Sequence, residues 1–257
     1  MRDFYPEDMK LRNRIFDAWR VAAVASGFEQ YDSCVVESLE LLQRKAGEEI
    51  VNQIYTFEDK SGRKLALRPE MTPTLARMVA ARQGSLPFPI KWFTIAQCFR
   101  YERMTRGRKR EHYQLNLDII AEDAVSAEAE VIYTAIAALR KMGVEDSVYK
   151  VRLSNRALLS ELLLSLGIAQ NFHTGVFMAL DKKGKIAREE IEALMRTEGL
   201  DDQACASAFS LLDIATLEDA ATIVGKDSPA VARINALFAL LTDYGVRDQV
   251  VFDISVI

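Results

Sequence analysis

Thiols and imidazoles are scarce. Cysteine occurs only at positions 34, 98 and 205 of 257 residues, and histidine only at 112 and 173. An odd, scattered set of cysteines is neither a disulfide framework nor a zinc set, and it fits a reducing cytosol. Proline and glycine are sparse as well, at 6 and 12 residues, which excludes collagen-like and low-complexity chains. No stretch reaches the roughly 18 uninterrupted apolar residues of a membrane helix. Met1-Arg2-Asp3-Phe4 is charged where a secretory signal has an apolar core, so no signal peptide is expected. No internal repeat is visible. Charge of one sign is also missing: 33 basic against 37 acidic side chains leave −4. That excludes a general polyanion-binding coat, so any nucleic-acid contact needs a local basic patch.

What remains is a soluble globular composition, 49% hydrophobic and 27% charged. A chain this long removes roughly 70–75% of its unfolded surface from water, enough for one or two cores. Leu11, Ile15, Trp19 and Ala22 lie at helical spacing, and Gly27 follows as a stop. Residues 31–36 read as a weakly specified extended segment. Residues 54–58 and 64–68 flank Asp59-Lys60-Ser61-Gly62 and predict a β-hairpin. Thr72-Pro73 predicts a helix start, with Thr72 as N-cap and Pro73 at the first helical position. Long strands are expected over 90–102 and 111–120, a helix over 126–142 stopped by Gly143, and a strand over 148–153. Residues 156–245 are rich in Leu, Ala and Glu and read as almost wholly helical. Strand character returns over 250–257. Adjacent strands without helical crossovers predict an α+β fold with an antiparallel sheet flanked by helices. The expected division is 1–155, a mainly helical 156–245, and a return strand in 246–257. The chain stops within that strand pattern, which reads as a fragment of something longer; a docked terminal strand is the other reading.

Two segments carry chemistry. Residues 100–110 hold five arginines and one lysine, Arg100, Arg103, Arg106, Arg108, Lys109 and Arg110. Arginine forks bind phosphate oxygens in pairs, so a strand–basic loop–strand unit makes a plausible polyphosphate clamp. A solvated hairpin tip carries the same charges. Side chains on a strand alternate faces. Gln114, Asn116 and Asp118 therefore share one face, while Tyr113, Leu115, Leu117 and Ile119 form an apolar one. This suggests a polar cleft floored by a sheet, although a solvent-facing strand alternates in the same way. The second segment, Leu67-Arg68-Pro69-Glu70-Met71-Thr72-Pro73, leads from a strand into a helix. Glu70 and Thr72 could receive a substrate ammonium group there, or simply serve the helix terminus.

Taken together these segments resemble the catalytic domain of class II aminoacyl-tRNA synthetases, and specifically the histidyl-tRNA synthetase family. Arg2-Asp3-Phe4-Tyr5-Pro6-Glu7 is similar to that family's N-terminal segment. Tyr55-Thr56-Phe57-Glu58-Asp59 and Leu67-Arg68-Pro69-Glu70 resemble its amino-acid-binding hairpin. Phe99-Arg100-Tyr101-Glu102 through Gln114 resembles motif 2. The likeness covers nearly the whole chain, with 156–245 at the family's variable insertion.

The resemblance implies roles. Arg100 would hold the α-phosphate of ATP and the substrate carboxylate, and Glu102 the adenine amino group. Arg108, with Arg110, would lie over the distal phosphates near the tRNA acceptor end. Glu70 and Thr72 would bind the α-amino group of L-histidine, with Met71 beside them where many members have Gly. Gln114 and Asp118 would face the amino acid, Asp118 accepting the imidazole N–H where members commonly carry the longer Glu. His112 falls near the adenine-stacking position; a strand histidine without a ligand role fits equally. Cys34 stands where motif 1 usually has Pro. The implied partners are ATP with Mg²⁺, L-histidine and the acceptor end of tRNA(His), in a cytoplasmic or organellar homodimer, with no protein-held metal and no membrane. Arg-Gly-Leu-x-Tyr-Tyr, motif 3 and the anticodon-binding domain would follow residue 257, so these residues alone are expected to be inactive or feeble. The same fold also serves the histidine-sensing regulatory subunit of ATP phosphoribosyltransferase, which does not charge tRNA.

Overall fold

A computed structural model describes residues 3–45, 53–102, 107 and 109–256. Contacts divide the chain into two compact units, residues 1–144 and 145–257.

The first unit opens with α1 (Pro6–Ala25). Pro6 sits in its first turn and Glu7 and Asp8 meet the positive end of the helix dipole. Gly27 ends it at φ 78°, where the Gly27 N–H reaches Val24 O and the Phe28 N–H reaches Ala23 O. β1 (Glu29–Gln30) then runs parallel to β5 (Ile90–Phe99), and β5 pairs antiparallel with β6 (Glu111–Ile120) along its whole length. Trp92 lies opposite Asp118, Thr94 opposite Asn116 and Ala96 opposite Gln114. The other face of this sheet carries Phe93, Ile95, Leu115, Leu117 and Ile119. They pack with Ala23 and Phe28 and with Val131 of α4 (Val125–Lys141). The period-two reading of these strands is therefore what the protein adopts.

A second sheet, ordered β2 (Val36–Ser38), β4 (Lys64–Leu67), β3 (Thr56–Glu58), is antiparallel throughout. The expected hairpin turn is built on Asp59, whose carboxylate accepts the N–H groups of Ser61 and Arg63 at 2.9 and 3.0 Å. α2 (Leu39–Lys45) follows β2, and α3 (Thr72–Arg82) follows β4.

The second unit pairs β7 (Val151–Leu153) with β8 (Val250–Phe252) in parallel. Between them run α5 (Arg156–Ser165), α6 (His173–Leu180), α7 (Arg188–Thr197), α8 (Asp202–Ser210), α9 (Leu217–Val224) and α10 (Pro229–Asp243). Asn155 caps α5 by accepting the N–H groups of Ala157 and Leu158. One apolar cluster unites Leu158, Leu162, Val176, Leu180, Met195 and Ile234 with Ile254. Each such side chain, buried fully, contributes about 1.5–3 kcal/mol.

The fold is α+β, as the sequence predicts, with five departures. The strand expected over 90–102 ends at Phe99. β1–β5 and β7–β8 are parallel pairs. The strand expected over 148–153 is preceded by a 3₁₀ turn at Asp146–Val148 and begins at Val151. The strand expected over 250–257 ends at Phe252; Asp253 then takes the N–H of Ser255 into a turn that buries Ile254. Because β7 pairs with β8, residues 145–155 and 246–256 group with the helices, not with 1–144 as the expected boundaries had them.

Candidate functional site

The segment after β4 lies against the end of β5. The Phe99 N–H donates to Arg68 O at 3.0 Å, Arg68 Nε donates to Gln97 O at 2.8 Å, and Arg100 Nε donates to Pro69 O at 3.1 Å. The two segments singled out in the sequence are thus stitched together edge to edge. Arg68 does most of this. It is 3% exposed, and its guanidinium also donates to Ser33 O and to the Asp32 carboxylate. Burying a guanidinium is costly unless every donor finds an acceptor, and these acceptors fix the loop's course.

Thr72 was expected to cap α3. It is instead the first helical residue, preceded by Met71 in a helical conformation, and no side-chain cap is made. Its side chain lines a cleft of about 690 Å³ together with Leu75, Val79, Phe88, Ile120 and Asp118. Ala121 completes the wall at φ 65°, a left-handed conformation that costs a residue with a Cβ about 1 kcal/mol or more. Thr72 and Asp118 therefore share one cleft.

Along β6 the polar side chains form a row. His112 Nε2 lies 3.2 Å from Gln114 Oε1, and Gln114 Nε2 donates to Asn116 Oδ1 at 2.7 Å. Gln114 is thereby oriented from both sides. Glu70 is half-buried in the loop, near enough to Cys98 for its charge to raise that thiol's pKa. Burial is the main cause of the shift, which takes Cys98 to about 11, so the thiol stays protonated and unreactive. Arg100 keeps part of its surface in solvent, and its guanidinium lies 3.9 Å from the Glu102 carboxylate.

Two expected site residues are placed differently. Met71 is wholly buried among Tyr31, Leu75, Ala96 and Cys98, so its side chain packs the loop down and lines no open space. Arg110 is stacked 3.9 Å over the Tyr101 ring, with Nε donating to Glu102 O, so it holds the strand end and does not reach outward. Arg108 lies outside the described residues. Among the described residues no cluster of three or more His, Cys, Asp and Glu offers a metal site.

Sequence reasoning missed the scaffold under the cleft. Glu37, 8% exposed, accepts from Thr74 Oγ1, from Arg77 Nε and Nη2, and from the Ser38 N–H. Burial pushes its pKa up, but the Ser38 and Arg77 bonds outweigh that and hold the carboxyl below its ordinary value. This cluster pins α3, and hence Thr72, to β2. Its only signal in the sequence is a lone Glu and a lone Arg about forty positions apart.

Solved structures share the fold. One described as an ATP phosphoribosyltransferase regulatory subunit/histidyl-tRNA synthetase from Bacillus halodurans matches all of this chain and 67% of its own, with TM-score 0.84 at 24% identity. At that identity the match defines the architecture and nothing finer. The sequence match is stronger. The Histidyl-tRNA synthetase family profile matches residues 1–257. The chloroplastic/mitochondrial histidine–tRNA ligase of Arabidopsis thaliana is 41% identical over 256 residues, covering 100% of this chain and 53% of that protein. The histidine–tRNA ligase of Leptospira biflexa is 43% identical over 258 residues, covering 100% and 59%. The chain belongs to the histidyl-tRNA synthetase family. It spans somewhat more than half the length of these relatives. Among the described residues no helix is long and apolar enough to cross a membrane.

Proposed function

We propose that the protein is a histidine–tRNA ligase and that this cleft takes L-histidine beside ATP. The observation that carries the reading is the joining of the two segments: Arg100 bonded to Pro69 O, and Thr72 and Asp118 on one cleft. Glu70 and Thr72 receive the α-ammonium group, and Gln114 and Asp118 face the imidazole. Arg100 lies between the amino acid's carboxylate and the α-phosphate, and Glu102 reads the adenine amino group with His112 beside it. Arg108 meets the distal phosphates. Arg110 keeps Glu102 in place from its stack on Tyr101. Mg²⁺ would enter with ATP and help neutralise the phosphate charge.

The chemistry asks little of the protein beyond placement. A histidine carboxylate is ionised at neutral pH and attacks the α-phosphorus directly; pyrophosphate leaves and histidyl-adenylate forms. No general base is needed, so the rate comes from alignment and from the positive charge of Arg100 against the developing negative charge. The terminal ribose hydroxyl of tRNA(His) then attacks the adenylate carbonyl, the ester forms as the bond to the phosphate oxygen breaks, and AMP leaves with the hydroxyl proton passing to its phosphate or to water. A homodimer that covers much of α1 belongs to the same reading, as the family resemblance implies.

The test is histidine-dependent ATP–pyrophosphate exchange by the protein expressed from its complete reading frame. Arg100→Ala should lower the rate by roughly 10²–10³-fold. Histidine binding without any exchange would favour a regulatory, non-catalytic protein on this fold.

A further inference from the structure

Glu37 meets the chain on either side of the segment that carries Glu70 and Thr72. Before that segment, Glu37 is paired with Ala66 in the ladder of β2 and β4. After it, the Glu37 carboxylate accepts from Thr74 Oγ1 at 3.3 Å and from Arg77 Nε and Nη2 at 3.1 and 2.9 Å. The second carboxylate oxygen accepts the Ser38 N–H at 2.9 Å, so the side chain is aimed from its own strand. Residues 67–73 are therefore clasped at both ends by one residue. Glu37 is 8% exposed and Thr74 is wholly buried, so solvent competes little for the bond between them.

The start of α3 needs this hold from outside. A helix often fixes its first turn with an N-cap side chain, and Met71 at that position makes no such bond. Pro73 has no N–H to offer a neighbour. Leu75 packs with Met71, Tyr31 and Cys98, and Met78 and Val79 lie against the same cluster. Apolar contacts of this kind are non-directional. Charge-assisted hydrogen bonds set direction as well as distance. In the first turns of α3 the described bonds of that kind come from Thr74 and Arg77, and both end on Glu37. Thr72, two residues before Thr74, lines the cleft.

We propose that Glu37 is a positioning residue for the ammonium-binding end of the cleft: by holding residues 67–73 at their entry and their exit, it sets Glu70 and Thr72 at the spacing one ammonium group requires. The assignment rests on the reading of the cleft as a histidine site. In this role Glu37 acts through the segment it clasps and touches no substrate. Its contribution is preorganisation, because a segment already closed at both ends loses less freedom when the ligand binds.

Three variants of the protein expressed from its complete reading frame test this. Glu37→Gln keeps the pairing with Ala66 and removes the charge, Thr74→Val removes one hydroxyl, and Thr74→Ser keeps it. Histidine-dependent ATP–pyrophosphate exchange is read with L-histidine varied and with ATP varied. It is read again with 3-(imidazol-4-yl)propionate, which is histidine without its α-amino group, as the competing ligand. Glu37→Gln and Thr74→Val should raise the KM for histidine about three- to tenfold, the loss of one hydrogen bond, while kcat, the KM for ATP and inhibition by the propionate stay within about twofold. Thr74→Ser should behave as the wild type. An unchanged histidine KM in Glu37→Gln and Thr74→Val overturns the proposal. An equal loss of affinity for histidine, the propionate and ATP overturns it as well, because the clasp would then serve the fold as a whole. A wild type without histidine-dependent exchange would remove the reading of the cleft, and the proposal with it.

Discussion

Between Leu158 and Ile254 one large apolar cluster gathers most of the second unit's described buried side chains, with few buried polar groups near it, such as Ser228 bonded to Glu161 and His173 Nε2 bonded to Ile168 O. Between Tyr31 and Asp118 the packing is different. Apolar residues fall into small separate clusters, and Arg68, Glu37, Thr74 and Thr94 are buried alongside them. An apolar cluster needs only volume and burial, and it tolerates many sequences. A buried polar network needs each donor to meet its acceptor, which fixes positions closely and is costly to disturb. The site proposed above lies in the second kind of interior. The helical unit is dominated by apolar packing, while the sheet unit buries Arg68 and Glu37 in polar networks beside the loop of Glu70 and Thr72.

Substitutions can break this contrast from either side. The largest stability loss is expected from Leu162→Ala, which leaves a cavity in a fully buried cluster and should cost about 3 kcal/mol. Hydrogen exchange should quicken over residues 156–243 and stay slow over β5 and β6. Arg68→Met should cost somewhat less, about 2–3 kcal/mol, because it strands Ser33 O and Gln97 O. Its exchange signature should be the reverse, and it should also weaken histidine binding, which Leu162→Ala should not. Equal signatures for the two variants would mean that the interiors are not distinct.

The smallest effect lies at Asp253. The Arg152 guanidinium is the main cause that holds its carboxyl near pKa 2, below the ordinary value of 3.8, and the Ser255 hydroxyl and N–H assist against burial. A depressed carboxylate pKa stabilises the fold above the ordinary value and is lost as pH falls through the folded one. Stability should therefore decline between about pH 4 and pH 2. Solvent screening around the exposed Arg152 keeps the contribution small. Asp253→Asn should remove that part of the acid dependence, as read by chemical denaturation across pH 2 to 5.

Local rules in the sequence reach some of this architecture and not the rest. Gly27 as a helix stop, the Asp59 turn and the two faces of β6 depend on neighbours a few residues away, and each was legible. Alternation alone placed Gln114 and Asp118 on one face. The burial of Arg68 was not legible, because its acceptors at Ser33 and Gln97 lie about thirty or more residues away. Nor was the Glu37–Arg77 pair, nor Tyr31, whose segment looked like weakly specified extended chain. The parallel pairing of β7 with β8 joins three-residue strands across the whole helical block, and no local pattern announces such a contact. Met71 precedes Thr72, which lines the cleft. Its side chain turns the other way, into the cluster under the loop.

The central claim is that the loop after β4 and the polar face of β6 make one histidine site. Titration calorimetry with L-histidine, on the wild type and on Asp118→Ala, tests it most directly. The account predicts saturable binding by the wild type and a loss of at least about tenfold in Asp118→Ala, the size of a charge-assisted hydrogen bond, with an unchanged melting temperature. Wild-type affinity retained in Asp118→Ala would contradict it.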